Sequence, residues 1–206
     1  MRRGEMIARC AMVAAGTVIL AGVAGVASAA VEQDEGVTVT VDISAIEEPG
    51  VLAMSVAAGS VNLTENGSSA TVRQFTGTLP LVTVTDTRDP DDIPDGAWWS
   101  VVGSSSDFVG DAGQPDIGAG HLGWTPQLVD GGDLGLVSEG DQVDTVLDTG
   151  DDNVGLVDQE LLAMALDSAT VAEEGQWTAT ADLFLRTPVT VAPGFYTSTL
   201  TLSLFE

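Results

Sequence analysis

The stretch that decides the fold is Phe195-Tyr-Thr-Ser-Thr-Leu-Thr-Leu-Ser-Leu-Phe205. Large apolar residues alternate with small hydroxyl residues along it. Successive side chains of a β-strand point to opposite faces of the sheet, so this alternation is typical of a half-buried strand. We therefore predict a strand over residues 195–205.

The same alternation recurs through most of the chain, between turn signals such as Asn66-Gly67 and Pro193-Gly194. It predicts further strands over residues 37–43, 51–56, 70–75, 79–85, 98–103 and 176–185. Short strands at this spacing predict an all-β protein, specifically an antiparallel β-sandwich of Ig-like or Greek-key type with long acidic loops.

Two regions are less regular. Residues 104–152 are rich in Gly and Asp, and we expect loops with short strands there. Residues 157–169 contain a run of apolar residues without a clear period. They fit a short helix or a buried strand, and their all-β neighbours favour the strand.

The first thirty residues predict a secretory signal helix. Arg2, Arg3 and Arg9 precede an uncharged apolar run, and Val26-Ala-Ser-Ala29 ends in the small residues of a cleavage site. We expect a signal peptide over residues 1–30 and one β-sandwich domain over residues 31–206. The alternative is a retained membrane anchor, because about 20 apolar residues span a bilayer.

Composition limits the partners of the exported chain. The formal net charge is −25, and residues 1–30 carry three arginines and one glutamate, so the remainder carries −27. Its only cations are Arg73, Arg88 and Arg186. Nucleic acids and anionic lipids bind clustered Lys and Arg, so both are excluded as partners. After residue 30 the chain has no cysteine, and core packing must hold it together without disulfides.

Two motifs resemble the WxL domain, a cell-wall-associated module of Gram-positive bacteria. The first is Val82-Thr-Val-Thr-Asp-Thr-Arg88 followed by Trp99-Ser-Val101, with Val101 in the place of Leu. The second is the spacing from Tyr196 to Leu204, with Leu202 in the place of Trp. The similarity covers about residues 59–206. The two motifs contain the candidate binding residues Trp98, Trp99, Val101, Tyr196 and Leu202, and Trp124 is a further aromatic candidate outside them.

The tryptophans have two interpretations each. Trp98 and Trp99 are neighbours, so on a strand they face opposite sides, one in the core and one exposed or covered by a loop. An exposed tryptophan can stack on a sugar or dock into a partner. We expect Trp124, between Gly123 and Pro126, to lie in a loop with the same two options.

The acidic loops offer oxygen ligands of the kind that calcium prefers. Asp89, Asp91, Asp92 and Asp95 are the candidate calcium ligands, although their spacing is not that of an EF-hand. The alternative is a set of solvated carboxylates. We expect no other cofactor.

Catalysis has little support in the sequence. His121 is the single histidine, and no serine lies in a nucleophile-elbow motif. We therefore expect a secreted, non-catalytic protein. The resemblance implies non-covalent association with the cell wall, with a companion surface protein, or with both. The alternative is a structural subunit of a surface layer or fibre, with or without calcium.

Overall fold

The computed structural model describes residues 50–150 and 153–206, which belong to one compact unit, Ile46–Glu206. The signal segment over residues 1–30, the domain start at residue 31 and the predicted strand over residues 37–43 lie outside the described residues.

The described residues form an all-β structure, which confirms the predicted class. Its strands, in chain order, are β1 Leu52–Val56, β2 Thr64–Glu65, β3 Val72–Thr78, β4 Val82–Asp86, β5 Trp99–Ser105, β6 Val109–Gly110, β7 Leu122–Asp130, β8 Val137–Glu139, β9 Glu160–Ala165, β10 Gln176–Pro188, β11 Tyr196–Thr197 and β12 Leu200–Phe205. One short helix, α1, covers Ser168–Ala172, and 3-10 turns cover Pro90–Asp92 and Ala119–His121.

The larger sheet has the order β1-β4-β10-β3-β2, with β7 also paired to β10. Every pairing in it is antiparallel. Strands β3 and β4 follow one another along β10. The interruption between them, at Pro80, is bridged because the Leu79 amide donates to the Ala181 carbonyl at 2.8 Å and the Thr180 hydroxyl donates to the Leu79 carbonyl at 2.6 Å.

The second sheet has the order β12-β5-β9-β8 and is also antiparallel. Strand β12, which lies within the alternating stretch 195–205, is therefore at an edge of this sheet. The two sheets share one cluster of buried apolar side chains. Trp99 of β5 contacts Trp177 of β10, with ring centroids 5.4 Å apart and a tilt of 41°.

Residues 157–169, for which the sequence fits a helix or a strand, contain a strand and the beginning of a helix. Strand β9 confirms the preferred prediction over Glu160–Ala165, and α1 follows it. The Asp167 side chain accepts a hydrogen bond from the Thr170 amide at 2.9 Å and so caps this helix.

Two sequence predictions need correction. Residues 104–152 are not only loops with short strands, because β7 runs for nine residues and pairs with β10. The predicted strand over residues 195–205 is split into β11 and β12. The split lies where the Ser198 hydroxyl donates to the Ser106 carbonyl at 2.6 Å and the Thr199 amide donates to the Ser106 hydroxyl at 3.0 Å. These side-chain bonds replace regular strand pairing.

Candidate functional site

The two adjacent tryptophans lie on opposite faces of the second sheet, as their spacing predicts. Trp99 is completely buried, whereas Trp98 is 49% exposed. Trp98 immediately precedes β5, whose inner face carries Trp99 and the buried Val101. Of the candidate binding residues, Trp98 is therefore the one whose aromatic ring is open to a partner.

Trp124 is buried and belongs to a strand, so its predicted loop position is wrong. Its ring lies against Gly103 of β5. A Cβ atom at Gly103 would be 2.6 Å from Trp124 Cη2 and 3.1 Å from Leu202 Cδ2. The glycine therefore lets the indole and the leucine of β12 approach the same point of the backbone. This contact makes Trp124 and Leu202 parts of one packed cluster.

Tyr196 is half-buried. Its hydroxyl donates to the Ala192 carbonyl at 2.9 Å, four residues earlier in the chain. The bond closes the turn that contains Pro193 and Gly194. Tyr196 and Leu202 also line a groove of about 1140 Å³, together with apolar side chains such as Phe75 and Leu183 of the larger sheet.

Arg88 joins the two sheets. Its guanidinium donates to both carboxylate oxygens of the buried Asp86, at 2.8 and 2.6 Å. It also donates to both oxygens of Glu206, at 2.6 and 2.7 Å. The bonds to Asp86 raise the pKa of Arg88; burial acts in the opposite direction, and Glu206 adds to the rise. Asp86 and Arg88 thus form an ion pair, and Glu206 after β12 is its third member.

The four candidate calcium ligands lie on the loop between β4 and β5. Asp89 caps the 3-10 turn, because its side chain accepts from the Asp91 amide at 3.0 Å. The loop brings no three of them together. Within residues 50–150 and 153–206, no group of three or more His, Cys, Asp or Glu side chains is arranged to hold a metal ion.

His121 is held by the main chain. Its Nδ1 lies 2.7 Å from the Arg186 carbonyl. A carbonyl only accepts, so Nδ1 carries the proton and donates in this contact. Arg186 itself donates to Gln74 at 2.7 Å, pairs with Asp148, and lies over the Phe184 ring. These contacts fix the loop that carries Asp148 against β10.

The structure thus groups the candidate residues by their roles. Trp99, Val101 and Trp124 are core residues, Tyr196 and Leu202 line the groove, and Trp98 is on the outer surface. Sequence reasoning missed Trp177, the buried partner of Trp99. The regular alternation over residues 176–185 was the available signal, because it places Trp177 on the same face as Ala179 and Ala181.

The described residues contain no helix that is long and apolar enough to cross a membrane. Comparisons with protein-family models, with curated proteins and with solved structures find no match for this chain. The resemblance to the WxL domain therefore stays a prediction.

Proposed function

We propose that this chain is a secreted, non-catalytic β-sandwich protein of the cell surface, related to WxL domains, that docks onto a companion surface protein. The observation that carries the proposal is the pair Trp98 and Trp99. One member of the motif anchors the core and its neighbour presents a half-exposed indole. Tryptophan is enriched among the residues that dominate binding energy at protein interfaces.

The proposed sandwich topology has two supports. Trp99 and Trp177 pack between two antiparallel sheets. The bond from the Tyr196 hydroxyl to the Ala192 carbonyl matches the tyrosine corner of Greek-key sandwiches, in which the hydroxyl bonds to the backbone a few residues upstream.

Charge favours a companion protein over direct binding to the wall. Wall polymers are largely anionic, and this chain carries a formal charge of −25. Its three arginines after residue 30 all form ion pairs with carboxylates, so they neutralise the protein's own acids. Repulsion between like charges extends over about 10 Å at 0.1 M salt. Direct association with the wall would need bridging divalent cations or contacts to neutral sugars.

A pull-down with purified wall sacculi tests this function. The chain is mixed with sacculi with and without EDTA, and with and without the product of the neighbouring gene. We expect retention only when the companion protein is present. Retention on the purified wall that is indifferent to both additions would overturn the proposal.

A specific observation favours a second function, a structural subunit of a surface layer or fibre. Among the described residues, β12 pairs with β5 along one edge and with no strand along the other. Its sequence, Leu200 to Phe205, is uncharged, and the apolar groove lies beside it. An exposed edge of this kind can pair with another chain. Size-exclusion chromatography with and without calcium separates the two functions, since stable polymers indicate the subunit and a monomer or defined heterodimer indicates the docking module.

A further inference from the structure

The outer face of the second sheet carries a row of exposed apolar side chains beside Trp98. Trp99 pairs with Ala165, and Ala165 pairs with Val137. The residues one step outside these pairs are Trp98, Leu166 and Leu136. Each of the three directly adjoins the end of its strand and is exposed where the neighbouring paired residue is buried, which places them on the outer face at neighbouring positions.

All three side chains of this row are exposed. Leu166 is 70% exposed and Leu136 is 40% exposed, beside Trp98 at 49%. In the next row, Phe205 pairs with Ser100 and Ser100 pairs with Met164. Phe205 is 46% exposed and Met164 is half-buried. We name the set Trp98, Leu136, Met164, Leu166 and Phe205 the outer patch.

Exposed carboxylates lie close in sequence to the residues of the outer patch. Asp95 lies three residues before Trp98, Asp167 directly follows Leu166, and Asp133 lies three residues before Leu136. The hydrogen bond from the Thr170 amide lowers the pKa of Asp167 and so favours the ionised carboxylate. The outer patch is thus an apolar surface whose flanking segments carry negative charge, and we call these three carboxylates its rim.

The arginines of the described residues do not offset this rim. Arg73 pairs with Glu65, Arg186 pairs with Asp148, and Arg88 is held between Asp86 and Glu206. Contiguous apolar patches that are ringed by polar residues mark interaction sites. Electrostatic complementarity then selects which partner docks there and how fast it associates.

We propose that the outer patch binds a basic protein surface, one that presents apolar side chains framed by Lys and Arg. The proposal rests on the proposed function in taking the partner to be a protein, and it adds the chemistry of that partner. The partner's apolar side chains bury against the aromatic and aliphatic side chains of the outer patch, while the carboxylate rim pairs with the partner's Lys and Arg. An anionic polymer meets repulsion at the same surface.

Fluorescence quenching tests the electrostatic half of the proposal. The chain has four tryptophans, and Trp99, Trp124 and Trp177 are buried, so soluble quenchers report on Trp98. With the quenching by each ion expressed relative to its quenching of free N-acetyltryptophanamide, we expect caesium to quench the full chain at least about threefold more efficiently than iodide at low salt, because the local potential is negative. The variant W98F removes the quenchable signal. Equal quenching by the two ions, or stronger quenching by iodide, would overturn the proposal.

Calorimetric titration with designed probes tests the binding half. The probes are a Leu/Lys peptide, a Leu/Glu peptide of the same apolar content, a lysine-only peptide and an oligomer of N-acetylglucosamine. We expect only the Leu/Lys peptide to bind. Trp98→Ala and Leu166→Ser should weaken it at least about tenfold, as expected for central interface residues. The matched control is Val129→Ser, since Val129 is 58% exposed, between Trp98 and Leu166, but lies on β7 of the other sheet.

Three results would overturn the proposal: similar binding of both leucine peptides, undiminished binding of the lysine-only peptide, or equal effects of Leu166→Ser and Val129→Ser. Binding of the sugar oligomer that depends on Trp98 would assign the patch to a carbohydrate instead. The sacculus experiment separates this failure from failure of the proposed function. If retention still needs the companion protein while patch variants are retained normally, the docking function stands and the patch assignment falls.

Discussion

Two rows of side chains on the second sheet differ by one position in sequence and completely in environment. Trp99, Ala165 and Val137 are buried, whereas their neighbours Trp98, Leu166 and Leu136 are exposed. Both rows contain one tryptophan and two aliphatic residues. The inner row meets Trp177 of the larger sheet, and no part of the described chain covers the outer row to the same extent. An opposing layer, rather than residue type, decides which row becomes core.

Trp99→Ala tests the contrast between the buried and the exposed row with the largest expected effect. The substitution removes a fully buried indole and its contact with Trp177, so we expect a loss of about 3–5 kcal/mol in the free energy of unfolding. Urea denaturation followed by circular dichroism measures the change. A loss below about 1 kcal/mol would mean that Trp99 does not anchor the core.

Gly103→Ala probes the same inner face with a smaller change. The added methyl group would be 2.6 Å from Trp124 Cη2 and 2.9 Å from Cζ3. Overpacking of this kind costs about 1–3 kcal/mol, and we expect that loss in urea denaturation. Gly59→Ala is the control, because nothing lies within 4 Å of its added Cβ atom. Equal stability of the two variants would contradict the packing argument.

The pH dependence of unfolding tests the hydrogen bond of Trp177, the buried partner of Trp99. The Trp177 indole N–H donates to Glu174 at 3.1 Å and lowers the pKa of that carboxyl. A lowered pKa in the folded state contributes stability that is present above the unfolded-state value and is lost as the pH falls through the folded-state value. We expect the stability difference between the natural chain and Glu174→Gln to shrink between pH 6 and pH 3, measured by thermal melting. A constant difference would show that Glu174 is not linked to folding.

Trp98→Ala should have the smallest effect on stability, within about 0.5 kcal/mol, because it removes a half-exposed side chain. Denaturation under the conditions used for Trp99→Ala makes the two results directly comparable. A loss similar to that of Trp99→Ala would mean that both faces of the sheet carry core residues, and the contrast between the rows would fail.

The sequence predicted most strands because their alternation is local. Residues 51–56, 79–85, 98–103 and 176–185 each contain enough regular positions to show which side chains share a face, and each overlaps an observed strand. The opposite orientation of Trp98 and Trp99 follows from the same rule. Local pattern therefore predicted the class of the fold and the opposite orientation of the two tryptophans, but not that the outer one is exposed.

The sequence did not predict the long strand β7, because the residue types within it are typical of loops. Gly123 and Pro126 are typical of turns, yet both lie inside the strand. A Cβ atom at Gly123 would be 2.4 Å from the Val143 carbonyl oxygen and 2.5 Å from Phe184 Cε2, so close packing requires the glycine. Proline is tolerated where one side of a strand lacks regular pairing, and on the side away from β10 the bridge from Trp124 to Val143 is isolated.

The outer patch could not be predicted either. Trp98, Leu136 and Leu166 are separated by tens of residues, and only the register of β5, β9 and β8 makes them neighbours. Each of them alone is an ordinary exposed apolar residue. The link from Arg88 to Glu206 depends in the same way on the meeting of two sheets.

The pairing of β12 with β5 has a consequence for the speed of folding. Leu204 lies opposite Val101, and in the larger sheet Leu185 lies opposite Phe75, so each contact closes a loop of about a hundred residues. Chains dominated by such distant pairings fold in milliseconds to seconds rather than microseconds. During synthesis, β5 stays without this neighbour until β12 has emerged, so its unpaired edge is exposed for that time.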